Sequence, residues 1–87
     1  MSLIKETEMY LLSVINELGY EIDNVKLEVS GRRELGQFQI NEAFSLAKKN
    51  HENPREVANK IVEKLDSRFV NVNIAGSGFI NVSFSDE

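Results

Sequence analysis

Phe69-Val70-Asn71-Val72-Asn73-Ile74-Ala75-Gly76-Ser77-Gly78-Phe79-Ile80-Asn81-Val82-Ser83-Phe84 is the stretch whose reading decides the fold. Apolar and polar residues alternate on both sides of a glycine-flanked turn, which predicts two strands, about 69–75 and 79–84, joined as a hairpin. Opposed side chains in such a pair point the same way, so Ile74 and Ile80 share a buried face only if facing residue numbers sum to an even value. Pairing Ala75 with Phe79 meets that condition and leaves Gly76-Ser77-Gly78 as a three-residue loop, with Gly78 expected to supply its left-handed residue. Val72 then faces Val82 and Val70 faces Phe84 on the inner side. On the outer side Asn73 faces Asn81 and Asn71 faces Ser83. Phe79 stands at the turn end of this amide-rich face.

Upstream of the hairpin the apolar period is helical. Asn53-Pro54-Arg55-Glu56 carries an Asn cap, Pro at the first helical position and Glu three residues after the cap, so a helix starts at 54 and runs to about 65. It buries Val57, Ala58, Ile61, Val62 and Leu65. Ile40, Ala43, Phe44 and Ala47 fit the same template, predicting a helix over about 38–49 that pairs antiparallel with its successor across Asn50-His51-Glu52. A first helix over about 2–18, capped by Ser2 and stopped by Gly19, sets Ile4, Leu11, Val14, Ile15 and Leu18 in a stripe. Between these helices, Val25-Lys26-Leu27-Glu28-Val29 alternates, which predicts a strand over about 25–30. The expected fold is α+β: three helices packed on one face of a small, mainly antiparallel sheet of strands 25–30, 69–75 and 79–84.

A chain of 87 residues supports one domain that buries roughly 60 to 70% of its unfolded surface. It has no cysteine, which excludes disulfide staples, thiolate metal sites and cysteine nucleophiles. The longest apolar runs are far short of the roughly 18 residues of a membrane span, and no leader precedes a cleavage site. The chain is accordingly expected to be soluble, cytoplasmic and without a membrane partner. Its net charge of −4 argues against a surface that grips nucleic acid everywhere. Yet residues 31–68 hold eight basic and six acidic side chains, a balance of +2, so a local basic edge remains open.

The usual catalytic constellations are missing. His51 is the one histidine and falls in a polar connection, where a solvated side chain is the default. Gly76-Ser77-Gly78 lies between two strands and is followed by no Lys-Ser or Lys-Thr, so it reads as a hairpin turn and not a phosphate loop. Arg32 and Arg33 lie in a glycine-bounded loop, where they either contact phosphate through their guanidinium forks or sit solvated beside Glu34. Phe79 keeps two readings as well. An outward aromatic beside outward amides can stack on an unpaired base and hydrogen-bond its edge, or it can lie under helix one or a neighbouring domain.

Gly36-Gln37-Phe38-Gln39-Ile40-Asn41, Ala43, Leu46-Ala47-Lys48, Asn53-Pro54-Arg55-Glu56-Val57-Ala58, Ile61-Val62-Glu63-Lys64-Leu65 and Ala75-Gly76-Ser77-Gly78-Phe79-Ile80-Asn81 occur in an order and spacing that resemble the N-terminal appended domain of arginyl-tRNA synthetase, over about residues 3–85. The resemblance implies a domain ahead of a class I catalytic core that attaches arginine to its tRNA using ATP and magnesium. Neither the His-Ile-Gly-His-like nor the Lys-Met-Ser-Lys-Ser-like signature of that core is in this sequence. Residues 1–87 are therefore expected to be one N-terminal domain of a longer polypeptide, with no cofactor of its own.

The partners implied are the D-loop region of the tRNA for arginine and the catalytic core of the same chain. Phe79 and Asn81 match the family's base contacts, and Asn73 flanks them. Arg32, Arg33, Lys48 and Lys49 are candidates for phosphate contact that no motif supports. The alternative is a protein-interaction or domain-packing module that uses the outward sheet face. Two departures stand out: Gln37 where the family often has Asp, expected to weaken the cap of helix two, and Ser77 where it often has Pro, expected to loosen the turn.

Overall fold

The structure is a computed structural model that describes residues 2–31 and 36–84. In chain order it contains α1 (Leu3–Glu17), β1 (Glu28–Val29), β2 (Phe38–Ile40), α2 (Glu42–Asn50), α3 (Pro54–Lys64), β3 (Phe69–Ala75) and β4 (Phe79–Phe84). The four strands form one antiparallel sheet in the order β1-β2-β4-β3. Leu11 and Ile15 from α1, Ala43 and Leu46 from α2 and Val57 and Ile61 from α3 form one core with Ile40, Ile80 and Val82 of the sheet. All three helices therefore cover the same sheet face, as the sequence predicts.

The helix starts follow from their caps. Ser2 accepts a hydrogen bond from the Lys5 amide at 3.1 Å, and Asn53 accepts one from the Arg55 amide at 2.9 Å with Pro54 at the first helical position. Each satisfies a backbone donor that the helix itself leaves without a partner. Within α1, Thr7 takes the buried place on the stripe where Ile4 was expected, and Ile4 is exposed.

The predicted second helix is corrected at its start. Phe38–Ile40 is a strand, and it pairs with β4 through Phe38↔Val82, Gln39↔Asn81 and Ile40↔Ile80. Ile40 fits a helical stripe and an inward strand position equally well, so periodicity over so short a run does not separate them. Gln37 consequently caps no helix. Its amide donates to the Val82 carbonyl at 3.0 Å, and its side-chain oxygen accepts from the Phe84 amide at 3.0 Å.

The strand predicted over 25–30 is only two residues long. Val25 and Leu27 are buried as the alternation requires, but their stretch of backbone is held by carboxylates instead of a ladder. Glu8 accepts from the Leu27 amide at 2.8 Å, and Glu42 accepts from the Lys26 amide at 3.1 Å. Val29, at the edge of the sheet, is exposed.

The hairpin keeps the derived register from Ala75↔Phe79 to Asn71↔Ser83 and then departs from it. Phe69, not Val70, pairs with Phe84, through an irregularity between Phe69 and Asn71. The extra residue turns Phe69 inward and Val70 out to solvent, which is what a bulge does to a strand. Phe69 then meets the Phe84 ring at 5.5 Å, and Phe38 meets Phe84 from the neighbouring strand at 5.6 Å. In the turn, Gly76 holds the left-handed conformation, φ +58. Gly78 has a positive φ as well, +158, and a Cβ there would in addition lie 3.1 Å from Pro54 Cβ and 3.3 Å from the Pro54 carbonyl. The turn therefore rests on the first residue of α3.

Candidate nucleic-acid interface

The outer face of β4 carries the residues singled out from the sequence. Phe79 is 38% exposed, with its ring neither free nor under α1. Phe44 of α2 packs against it, ring centres 4.7 Å apart and planes inclined at 59°. The pairing of β2 with β4 puts Asn41 level with Phe79, so α2 starts beside that ring and brings Phe44 to it within one turn. On the other side the turn is pinned, since Arg55 Nη1 donates to the Gly76 carbonyl at 2.6 Å. A Cβ on Gly76 would approach the Phe79 ring to 3.4 Å. Phe44 thus covers part of the ring and leaves the rest to solvent.

One residue pair along, three strands place three amides in file. Asn81 is the register partner of Gln39 on one side and of Asn73 on the other. Gln39 Nε2 donates to Asn81 Oδ1 at 3.3 Å, and Asn81 Nδ2 donates to Asn73 Oδ1 at 3.3 Å. Asn81 is 0% exposed, while Gln39 and Asn73 are half-buried. The backbone at Gly36 passes close by, where a Cβ would stand 3.2 Å from Asn81 Cβ and 3.1 Å from the Val82 backbone nitrogen and oxygen. A buried amide with both ends engaged is rigid, because losing either bond leaves a polar group without water to replace it.

The basic candidates separate. Lys48 and Lys49 are exposed in the last turn of α2. Lys48 follows Phe44 by four residues and so shares its side of the helix, whereas Lys49 Nζ donates to the Glu21 carbonyl at 3.3 Å, away from the amides. Arg32 and Arg33 lie outside the described residues. The structure brings Phe79, Asn81 and Asn73 together and adds Gln39 and Phe44, which sequence reasoning missed. Their signal was present in the sequence, since a strand over 38–40 sets Gln39 beside Asn81, but a helical reading hides it.

Titratable groups elsewhere are engaged structurally. The Tyr20 hydroxyl donates to Glu52 Oε1 and accepts from Lys60 Nζ at 3.3 Å. Burial, and then the bond to Glu52, push the Tyr20 hydroxyl above its ordinary pKa, so it stays protonated. Burial also raises the carboxyl of Glu42, against the pull of the Lys26 amide, and its Oε1 is buried without a hydrogen-bond partner. His51, in the left-handed residue that ends α2, is exposed. No cluster of metal-ligating side chains occurs among the described residues, and none of their helices is long and apolar enough to cross a membrane. The chemistry on offer is stacking and amide hydrogen bonding.

A domain with this architecture occurs in solved tRNA synthetases. The structure matches arginyl-tRNA synthetase from Plasmodium falciparum with a TM-score of 0.82 at 20% identity, over 95% of this chain and 16% of that one. It matches the Thermus thermophilus arginyl-tRNA synthetase with a TM-score of 0.81 at 17% identity, over 97% of this chain and 14% of that one. In sequence, the profile described as arginyl tRNA synthetase N terminal domain matches residues 5–84. The chain belongs to that family.

Relatives agree. An arginine–tRNA ligase of Alteromonas mediterranea is 43% identical over 74 residues, 83% of this chain and 13% of that protein. One of Alkaliphilus oremlandii is 35% identical over 86 residues, 97% of this chain and 15% of that protein. The chain thus spans about an eighth to a seventh of the length of these curated relatives.

Proposed function

We propose that this chain is the tRNA-binding N-terminal domain of an arginine–tRNA ligase, a single domain of a longer class I synthetase working in the cytoplasm. A catalytic core elsewhere in that polypeptide attaches arginine using ATP and magnesium. In this reading Phe79 stacks on an unpaired base of the D-loop, and Asn81, flanked by Asn73, reads the polar edge of that base. The observation that carries the reading is a partly open aromatic ring, packed against Phe44, next to a row of ordered amides. Stacking on one base is worth about 1 to 3 kcal/mol, and the net charge of −4 adds no general attraction for phosphate. The domain therefore discriminates, while most of the holding is done by the rest of the enzyme. Of the phosphate candidates Arg32, Arg33, Lys48 and Lys49, Lys48 has the best placement, on the Phe44 side of α2.

Aminoacylation by the complete enzyme carrying Phe79→Ala or Asn81→Ala tests the proposal, with normal and D-loop-altered tRNA as paired substrates. Both variants are expected to narrow the difference between the two tRNAs. An unchanged ratio in both sinks base reading. One observation favours a second reading: Asn81 is completely buried, so this face is already satisfied as a packing surface. Phe79 is then an anchor for another protein surface, and its loss weakens that contact while leaving the ratio between tRNAs as it was.

A further inference from the structure

Carboxylates hold several of the basic side chains among the described residues. Lys60 pairs with Glu52, Lys64 with Glu17 and Arg68 with Asp66. The Arg68 guanidinium also lies over the Tyr10 ring, 3.7 Å from its centroid. Of the two arginines among the described residues, Arg55 alone has no carboxylate partner. Glu52 is engaged by Tyr20 and Lys60, and Glu56, the next residue on α3, does not face Arg55. In a chain of net charge −4, an exposed arginine left without an acid is the departure that asks for a partner.

The guanidinium is nevertheless held in place. Its bond is the one from Nη1 to the Gly76 carbonyl, at 2.6 Å, which leaves the other donors of a five-donor planar fork open. The backbone amide of Arg55 is taken by Asn53, so the feature is the side chain and not the end of α3. Gly76 joins this cation to the aromatic ring. Its carbonyl holds the guanidinium, and a Cβ on it would stand 3.4 Å from Phe79 Cδ2. Gly78, which precedes Phe79, lies against Pro54, which precedes Arg55. Two separate contacts between the turn and α3 therefore set the guanidinium and the ring at the same end of the hairpin.

A nucleotide carries the complementary pair, a flat base and an anionic phosphate one sugar apart. We propose that Arg55 binds a backbone phosphate next to the base that stacks on Phe79, so that the turn takes a nucleotide as a unit. A guanidinium fork matches phosphate oxygens two at a time, and the bond to Gly76 uses one donor only. The contact fixes where the base sits and carries no sequence information of its own. The proposal rests on the stacking role of Phe79 set out above and asks nothing of the buried amides.

The test is binding of the complete enzyme to a transcript of the tRNA for arginine, titrated from about 50 to 200 mM salt. Arg55→Gln removes the charge and keeps an amide donor for the Gly76 carbonyl. It is expected to weaken binding roughly tenfold at the low-salt end, and to make the slope of log Kd against log salt shallower by about one. Arg55→Lys keeps the charge and is expected to keep the slope. A role confined to pinning the turn weakens binding by one factor at every salt concentration, and that result overturns the proposal. A second transcript, with a single uncharged methylphosphonate beside the D-loop base, locates the contact. It is expected to weaken binding to the parent and to cost Arg55→Gln nothing further; equal losses in both overturn the placement. Phe79→Ala is run alongside on normal and D-loop-altered tRNA, where it is expected to narrow the difference that Arg55→Gln preserves. If Phe79→Ala leaves that difference intact, base reading itself fails, and the paired contact falls with it whatever the salt slope shows.

Discussion

At the middle of β4 both faces are buried, and they are held in opposite ways. Toward the helices, Ile80 and Val82 are fully buried among aliphatic side chains; on the other face, between them in sequence, Asn81 is just as fully buried between two amides. Apolar burial is non-directional and tolerates exchange of similar shapes, so the inner face specifies the core and little else. Amide hydrogen bonds fix direction, so the outer face specifies an orientation. The contrast between the faces is open to attack.

Ile80→Ala should have the largest effect, lowering unfolding free energy by about 2 to 5 kcal/mol in urea titration, because it leaves a cavity where all three helices meet the sheet. Asn81→Leu should cost less, about 1 to 3 kcal/mol, since the side-chain volume is roughly kept and the loss comes from the two hydrogen bonds to Gln39 and Asn73. Equal costs for the two substitutions would erase the distinction between the faces.

A smaller effect concerns pH. Burial holds the carboxyl of Glu42 above its ordinary 4.5, so the folded state favours the protonated form. That contribution is fully present below 4.5 and is lost as pH rises through the raised value. Glu42→Gln should flatten this decline in a series of melting curves. A slope identical to the parent's would show that Glu42 titrates as if exposed.

Legibility followed the same division. The inner face of the hairpin could be read because alternation and a parity argument suffice, and Ile74↔Ile80 and Val72↔Val82 came out as derived. Val70 could not, because a bulge is driven by the wish of Phe69 to meet Phe84 across the sheet, and no local pattern encodes that. The strand at Phe38–Ile40 was hidden behind Ile40, which serves a helix stripe and a strand face alike. Segment 25–27 escaped for another reason, since its partners are the side chains of Glu8 and Glu42, distant in sequence. The site was legible in its aromatic and two of its amides. Gln39 and Phe44 belong to the misread segment, so their roles became visible only once β2 was paired.

The central claim is that the exposed part of the Phe79 ring is a stacking surface for a base. Phe79→Leu tests it most directly, because leucine keeps an apolar contact with Phe44 but has no flat face to stack. In the complete enzyme, measured as the ratio of kcat/KM on normal and D-loop-altered tRNA, the account predicts that this ratio falls toward one. It also predicts that the thermal midpoint of the variant stays close to the parent's. An unchanged ratio in a variant of unchanged stability would contradict it.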